Sequence, residues 1–172
     1  MYWDYQALGS WKWINREVGR KLHLNNAKLE FRCFRGVGHA LFESCLGLVR
    51  LHPHKNKIFY FPNRDPFFSE PVKFLAGEGC DLHPLPPDSL ENPSSVLDKF
   101  DRETLMILLP EDEVFTARKN QVHEFCEALE DKRVFRLRLS HHKHMTEGLH
   151  LHPHRMDVFL YSMGPDFALT LS

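Results

Sequence analysis

The stretch from Phe34 to Pro86 constrains the fold more tightly than any other part of the chain. It opens Phe34-Arg-Gly-Val-Gly-His-Ala-Leu41, and Leu41, Phe42, Cys45, Leu48 and Val49 then recur at helical spacing. An apolar run, Lys57-Ile-Phe-Tyr-Phe61, comes next, and Asp65-Pro66-Phe67-Phe68 leads to a second helical pattern. Ser69 reads as the N-cap of that helix, with Pro71 in its first turn and Gly77 and Gly79 at its end. Cys80-Asp-Leu-His-Pro-Leu85 is then a further short strand. Strand, glycine turn, helix and strand, repeated, is the pattern of a sheet with crossover helices.

The rest of the chain continues the alternation. Lys28 to Phe34 sets Leu29, Phe31 and Cys33 against Lys28, Glu30 and Arg32, so it reads as a strand with one buried face. Pro84, Pro86, Pro87 and Pro93 force an irregular connection. Thr104 to Leu109 is apolar on both faces, as a strand buried between two layers must be. Thr116 is placed to cap a helix that buries Val122, Phe125, Cys126 and Leu129. Arg133 to Ser140 alternates, with Val134, Arg136 and Arg138 opposite Phe135, Leu137 and Leu139. Asp157 to Ser162 is a strand, and Gly164-Pro165-Asp166 is a tight turn. So short a turn makes Phe167 to Leu171 pair back antiparallel. The expected architecture is a three-layer α/β/α sandwich, mostly parallel with one reversed strand. It forms a single domain over 28–172, preceded by a helical segment over 1–27 with Trp11, Ile14, Val18 and Leu22 on one stripe.

Composition excludes several function classes. A net charge of −1 gives no overall bias toward nucleic acid or an anionic membrane. No apolar run approaches the roughly 20 residues of a membrane helix. The opening Met-Tyr-Trp-Asp-Tyr-Gln lacks the basic and apolar regions of a signal peptide. Cys33, Cys45, Cys80 and Cys126 are scattered without a Cys-x-x-Cys pair and read as buried free thiols in a reducing, cytoplasmic setting. There is no Ser-His-Asp signature, no Walker loop and no paired carboxylate site. His123 and Cys126 stand three apart on a helix, but Cys126 lies on the apolar stripe and reads as a structural thiol.

This order of elements resembles the large domain of the fold-type I pyridoxal-phosphate enzymes, the aminotransferase family, over roughly Lys28 to Ser172. Gly36-Val-Gly38-His39-Ala40 sits where that family has its phosphate-cradling glycine turn. Asp65-Pro66-Phe67 resembles its proline and aromatic after the second strand, and Leu109-Pro110-Glu111 stands where it carries an asparagine-proline loop. The resemblance implies pyridoxal phosphate as cofactor, with the phosphate on Gly36, Gly38, His39 and Ala40. A helix N-terminus preceded by glycine suits an anion, although such a turn is equally a plain strand-to-helix connection.

The sequence departs from that family where the chemistry would lie. The resemblance implies a Schiff-base lysine after a serine at the end of the penultimate strand. Here the place reads Tyr161-Ser162-Met163-Gly164, and methionine has no amine with which to form an imine. It implies a carboxylate under the pyridine nitrogen, where the chain has Leu139-Ser140-His141-His142, and an asparagine where Glu111 and Asp112 stand. The chain stops at Ser172, before the family's small domain and its substrate-clamping arginine, as a shortened relative or a fragment would. The reading is therefore a catalytically degenerate domain with a binding or assembly role, no catalytic residue and no cofactor. A pyridoxal-phosphate-dependent transferase, or a fragment of one, is the alternative.

Twelve histidines supply the other candidates. Leu51-His-Pro-His-Lys55 and Leu151-His-Pro-His-Arg155 each precede a strand. The family's strand order puts two strands between them, so the turns lie roughly 14 Å apart on the amino edge, too far for one metal ion. His141, His142 and His144 fall instead at the carboxyl end of a strand, where ligands bind in such sheets. Two imidazoles can chelate a metal, which makes metal binding a second alternative. Without a carboxylate or thiolate beside them they make a weak site, and the loop reads first as solvated, basic surface. The polar faces of the strands holding Lys28, Glu30 and Arg32, and Arg136 and Arg138, lack helix to cover them. With Tyr2, Trp3, Tyr5, Trp11 and Trp13 they point to a homodimer, or an unknown protein partner, over this region.

Overall fold

The computed structural model describes residues 31–34, 36–63, 66–110, 119–141, 157–164 and 167–171. The segment 1–27 expected to be helical, the turn at Pro165 and Asp166, His142, His144 and the second His-Pro-His turn lie outside these residues.

Among the described residues seven strands form one sheet: β1 (Phe31–Phe34), β2 (Lys57–Tyr60), β3 (Asp81–Pro84), β4 (Thr104–Pro110), β5 (Phe135–His141), β6 (Asp157–Gly164) and β7 (Phe167–Leu171). Their order is β1-β7-β6-β5-β4-β2-β3. β2, β3, β4, β5 and β6 pair in parallel, and β7 runs antiparallel to both of its neighbours. The single reversed strand is the one the short turn required. Three helices of the α type are described: α1 (Val37–Leu51), α2 (Pro66–Gly77) and α3 (Lys119–Ala128). Three 3-10 turns, Pro87–Leu90, Pro93–Ser95 and Leu97–Lys99, carry the proline-rich connection.

Alternation along the strands divides the core in two. Ile58, Met106, Leu108, Leu137 and Leu139 face α1 and α2, where Leu41, Cys45, Val72 and Leu75 meet them. Phe59, Phe61, Ile107, Leu109 and Val134 face the other way, against the 3-10 turns and Val122, Phe125, Cys126 and Leu129 of α3. Two buried faces explain why β4 reads as continuously apolar. The β2–β4 register steps from Lys57↔Thr104 to Ile58↔Met106, which leaves Leu105 as a bulge residue on the strand.

Three local expectations are corrected. The second helix begins at Pro66, a turn before the expected Ser69 cap. Proline's fixed φ and missing N–H suit a first helical position, so Pro66 starts the helix and Pro71 falls inside it, where it removes one N–H from the ladder. The helix still ends as its glycines require. Gly79 has φ +86°, and the Gly79 and Cys80 amides donate to Ala76 O (3.2 Å) and Leu75 O (3.2 Å), a Schellman closure. Second, β5 begins at Phe135; Arg133 is not in the strand but turns the chain into it with a left-handed φ of 52°.

Third, α3 lies on the arginine-bearing face of β5, which the strand pattern alone leaves uncovered. Arg136 is 4% exposed, and its Nη1 donates to the Cys126 carbonyl at 2.8 Å. Arg138 Nη2 donates to Cys126 Sγ at 3.5 Å. A guanidinium can occupy an interior face when carbonyl and thiol acceptors meet it there. The polarity of this face is met, at Arg136 and Arg138, by groups of the same chain.

Candidate functional site at the carboxyl edge of the sheet

In a parallel sheet the strand ends and the helix N-termini that follow them gather at one edge, and here that edge is set by register. Phe34 pairs with Ala168, Ala168 with Ser162, and Ser162 with His141. These four residues form one row across β1, β7, β6 and β5. At about 4.8 Å per strand, His141 and Phe34 stand roughly 14 Å apart. Gly36, two residues beyond Phe34, is the N-cap of α1. The glycine turn, Ser162 and Met163, and His141 thus share one edge, and Pro110 closes β4 on the same side. The family resemblance implied that these segments meet, and the strand register is what brings them together.

The glycine segment is shorter as a turn than the sequence suggests. Gly36 is extended (φ 177°, ψ 163°), a conformation open to any residue, and Gly38 is already the second residue of α1. The first helical bond runs from Ala40 N to Gly36 O at 3.0 Å. The amides ahead of it have no partner within the helix, which is what makes such an end attractive to anions. Ala40 is fully buried beneath it. The His39 ring meets Phe34 edge-on at 5.5 Å, with Nε2 3.8 Å from Glu43 Oε1. Glu43 lies one turn along α1 from His39.

At the neighbouring strand ends, β6 finishes Ser162-Met163-Gly164 and β5 finishes Ser140-His141. The β6–β7 pairing steps from Ser162↔Ala168 to Gly164↔Phe167, so Met163 is the extra residue of a β-bulge. Held against pyridoxal phosphate, these strand ends do not fit: β6 offers no amine for a covalent anchor, and β5 offers no acid for the ring nitrogen. Among the described residues of this edge, the glycine-preceded N-terminus of α1 is what suits the group's phosphate.

The histidine candidates separate. His141 ends β5, while His142 and His144 lie outside the described residues. Among the described residues no three His, Cys, Asp or Glu side chains come together as a metal set. At the opposite, amino edge, the first His-Pro-His turn has a packing role. The His52 ring lies against Phe135 at 5.3 Å, its carbonyl accepts from Lys55 N at 2.8 Å, and Lys55 Nζ donates to Arg133 O at 3.5 Å.

The amino edge also holds an ionic group the sequence reading missed. Lys57 Nζ pairs with Asp101 Oδ2, and Asp101 Oδ1 accepts from Glu103 N (3.0 Å) and Thr104 Oγ1 (3.1 Å). The Lys57 hydrogen bond, with smaller help from Thr104 and Glu103, holds the Asp101 carboxyl below the usual carboxylate range against a partial desolvation. The same bond holds the Lys57 ammonium above its ordinary value. Nothing in local pattern joins positions 57 and 101; the β2–β4 pairing does.

Cys45, Cys80 and Cys126 are free and buried. Burial, and secondarily the nearby Cys80, pushes the Cys45 thiol far up; burial, then Glu78, raises Cys80. Both are poor nucleophiles, as the sequence reading of structural thiols requires. Among the described residues no helix is long and apolar enough to cross a membrane.

No protein-family model matches the sequence, and no curated protein matches it. Solved structures do match in fold. A mitochondrial aspartate aminotransferase from Trypanosoma brucei aligns with TM-score 0.60 at 15% identity, over 91% of this chain and 50% of its own. DndA from Streptomyces lividans aligns with TM-score 0.63 at 17% identity, over 99% and 51%. An aromatic-amino-acid aminotransferase from Burkholderia pseudomallei, covalently bound to pyridoxal phosphate, gives 0.61 at 11%, over 90% and 46%. These neighbours are aminotransferase-like proteins of fold type I, and the chain has their α/β fold while spanning about half their length. At such identities the likeness shows the fold and not the activity.

Proposed function

We propose that this chain is a catalytically degenerate aminotransferase-like domain that acts by binding or assembly and uses no cofactor. The observation that carries the reading is the end of β6. That end reads Ser162-Met163-Gly164, with a methionine at the position where the resemblance implies an amine, and the neighbouring β5 ends Ser140-His141, without a carboxylate; both support the reading. An imine needs a nucleophilic nitrogen and a protonated ring needs an acid partner, and neither strand end supplies one. The test is to mix purified protein with pyridoxal phosphate, reduce with borohydride and map the peptides. No visible absorbance band and no stoichiometric adduct are expected. One lysine of this chain trapped stoichiometrically would overturn the proposal.

The second reading, a pyridoxal-phosphate-dependent transferase or a piece of one, draws on the glycine-preceded N-terminus of α1 and on the covalent cofactor of the Burkholderia neighbour. A yellow purified protein would favour it. The binding role implies a partner, and a homodimer built on the aromatic amino-terminal residues, in a cytoplasmic setting suited to free thiols, is the form proposed. Light scattering at micromolar concentration should give twice the chain mass. A monomeric mass that persists on concentration would remove the homodimer and leave a foreign partner.

A further inference from the structure

We draw no further inference here: the strongest candidate, the cluster of Arg136 and Arg138 around Cys126 beneath α3, consists of hydrogen bonds within the core around a lone cysteine, and nothing among the described residues points to a ligand there.

Discussion

If α3 seals the arginine-bearing face, truncating Phe125 must be among the costliest single changes in the chain. Phe125 is fully buried, and its ring meets Phe61 edge-on at 5.6 Å. Phe125→Ala removes most of an aromatic side chain from between helix and sheet and leaves a cavity, at a cost of about 3–5 kcal/mol. The lost ring pair accounts for about 0.5–1.5 kcal/mol of coupling with Phe61, which a double-mutant cycle with Phe61→Leu measures. Against a total stability of about 5–15 kcal/mol, the variant sits near the threshold of folding. At about 2–4 °C per kcal/mol for a chain of this size, the melting temperature should fall by roughly 6–20 °C. Urea titration followed by circular dichroism gives the free energy, and an unchanged m-value confirms that the same surface is exposed on unfolding. Phe74→Ala is the internal control. Phe74 is 65% exposed on α2, so its truncation should stay within about 0.5 kcal/mol. If the two variants lose similar, small amounts of stability, α3 does not pack on the sheet, and the account of how Arg136 is buried fails with it.

Backbone handedness gives a pair of opposite effects: Gly79→Ala, at φ +86° with open space for a Cβ, should cost about 1–2 kcal/mol through conformation alone, while Arg133→Gly, relieving a left-handed non-glycine, should gain about 0.5–1 kcal/mol. Thermal melts compare the two, and effects of the same sign would refute the assignment of strain. The Asp101 carboxyl titrates lower in the folded chain than in the unfolded one, so the unfolded state takes up its proton first as the pH falls. Its contribution is therefore present above about pH 4 and lost as the pH drops through the folded value. The melting temperatures of wild type and Asp101→Asn should differ at neutral pH and converge in acid; a gap that persists at pH 2 would show the carboxylate charge to be irrelevant.

The sequence alone determined the class of fold, because periodicity is a local property. Alternation at Phe135–Leu139, helical recurrence from Leu41 to Val49, and the apolar run Thr104–Leu109 each follow from which faces a segment must bury. The reversed β7 was legible for a similar reason, since a connection too short for a crossover leaves only the antiparallel choice. The start of α2 was legible in principle, but a good cap at Ser69 hid a better start at Pro66. Of the candidate site, the residues by themselves showed the glycines, Met163 and His141 at separate points of the chain, and only the family resemblance implied that they belong together. Tertiary structure decided the rest. Register put Phe34, Ala168, Ser162 and His141 in one row and opened a bulge at Met163. Docking of α3 turned Arg136 from an apparent surface charge into a core residue, because the Cys126 carbonyl it needs is supplied by a different element. Lys57 and Asp101 likewise meet only because β2 pairs with β4. A strand's pattern states which face is apolar; what covers the other face, and which distant group satisfies a charge there, depends on partners the local sequence does not encode.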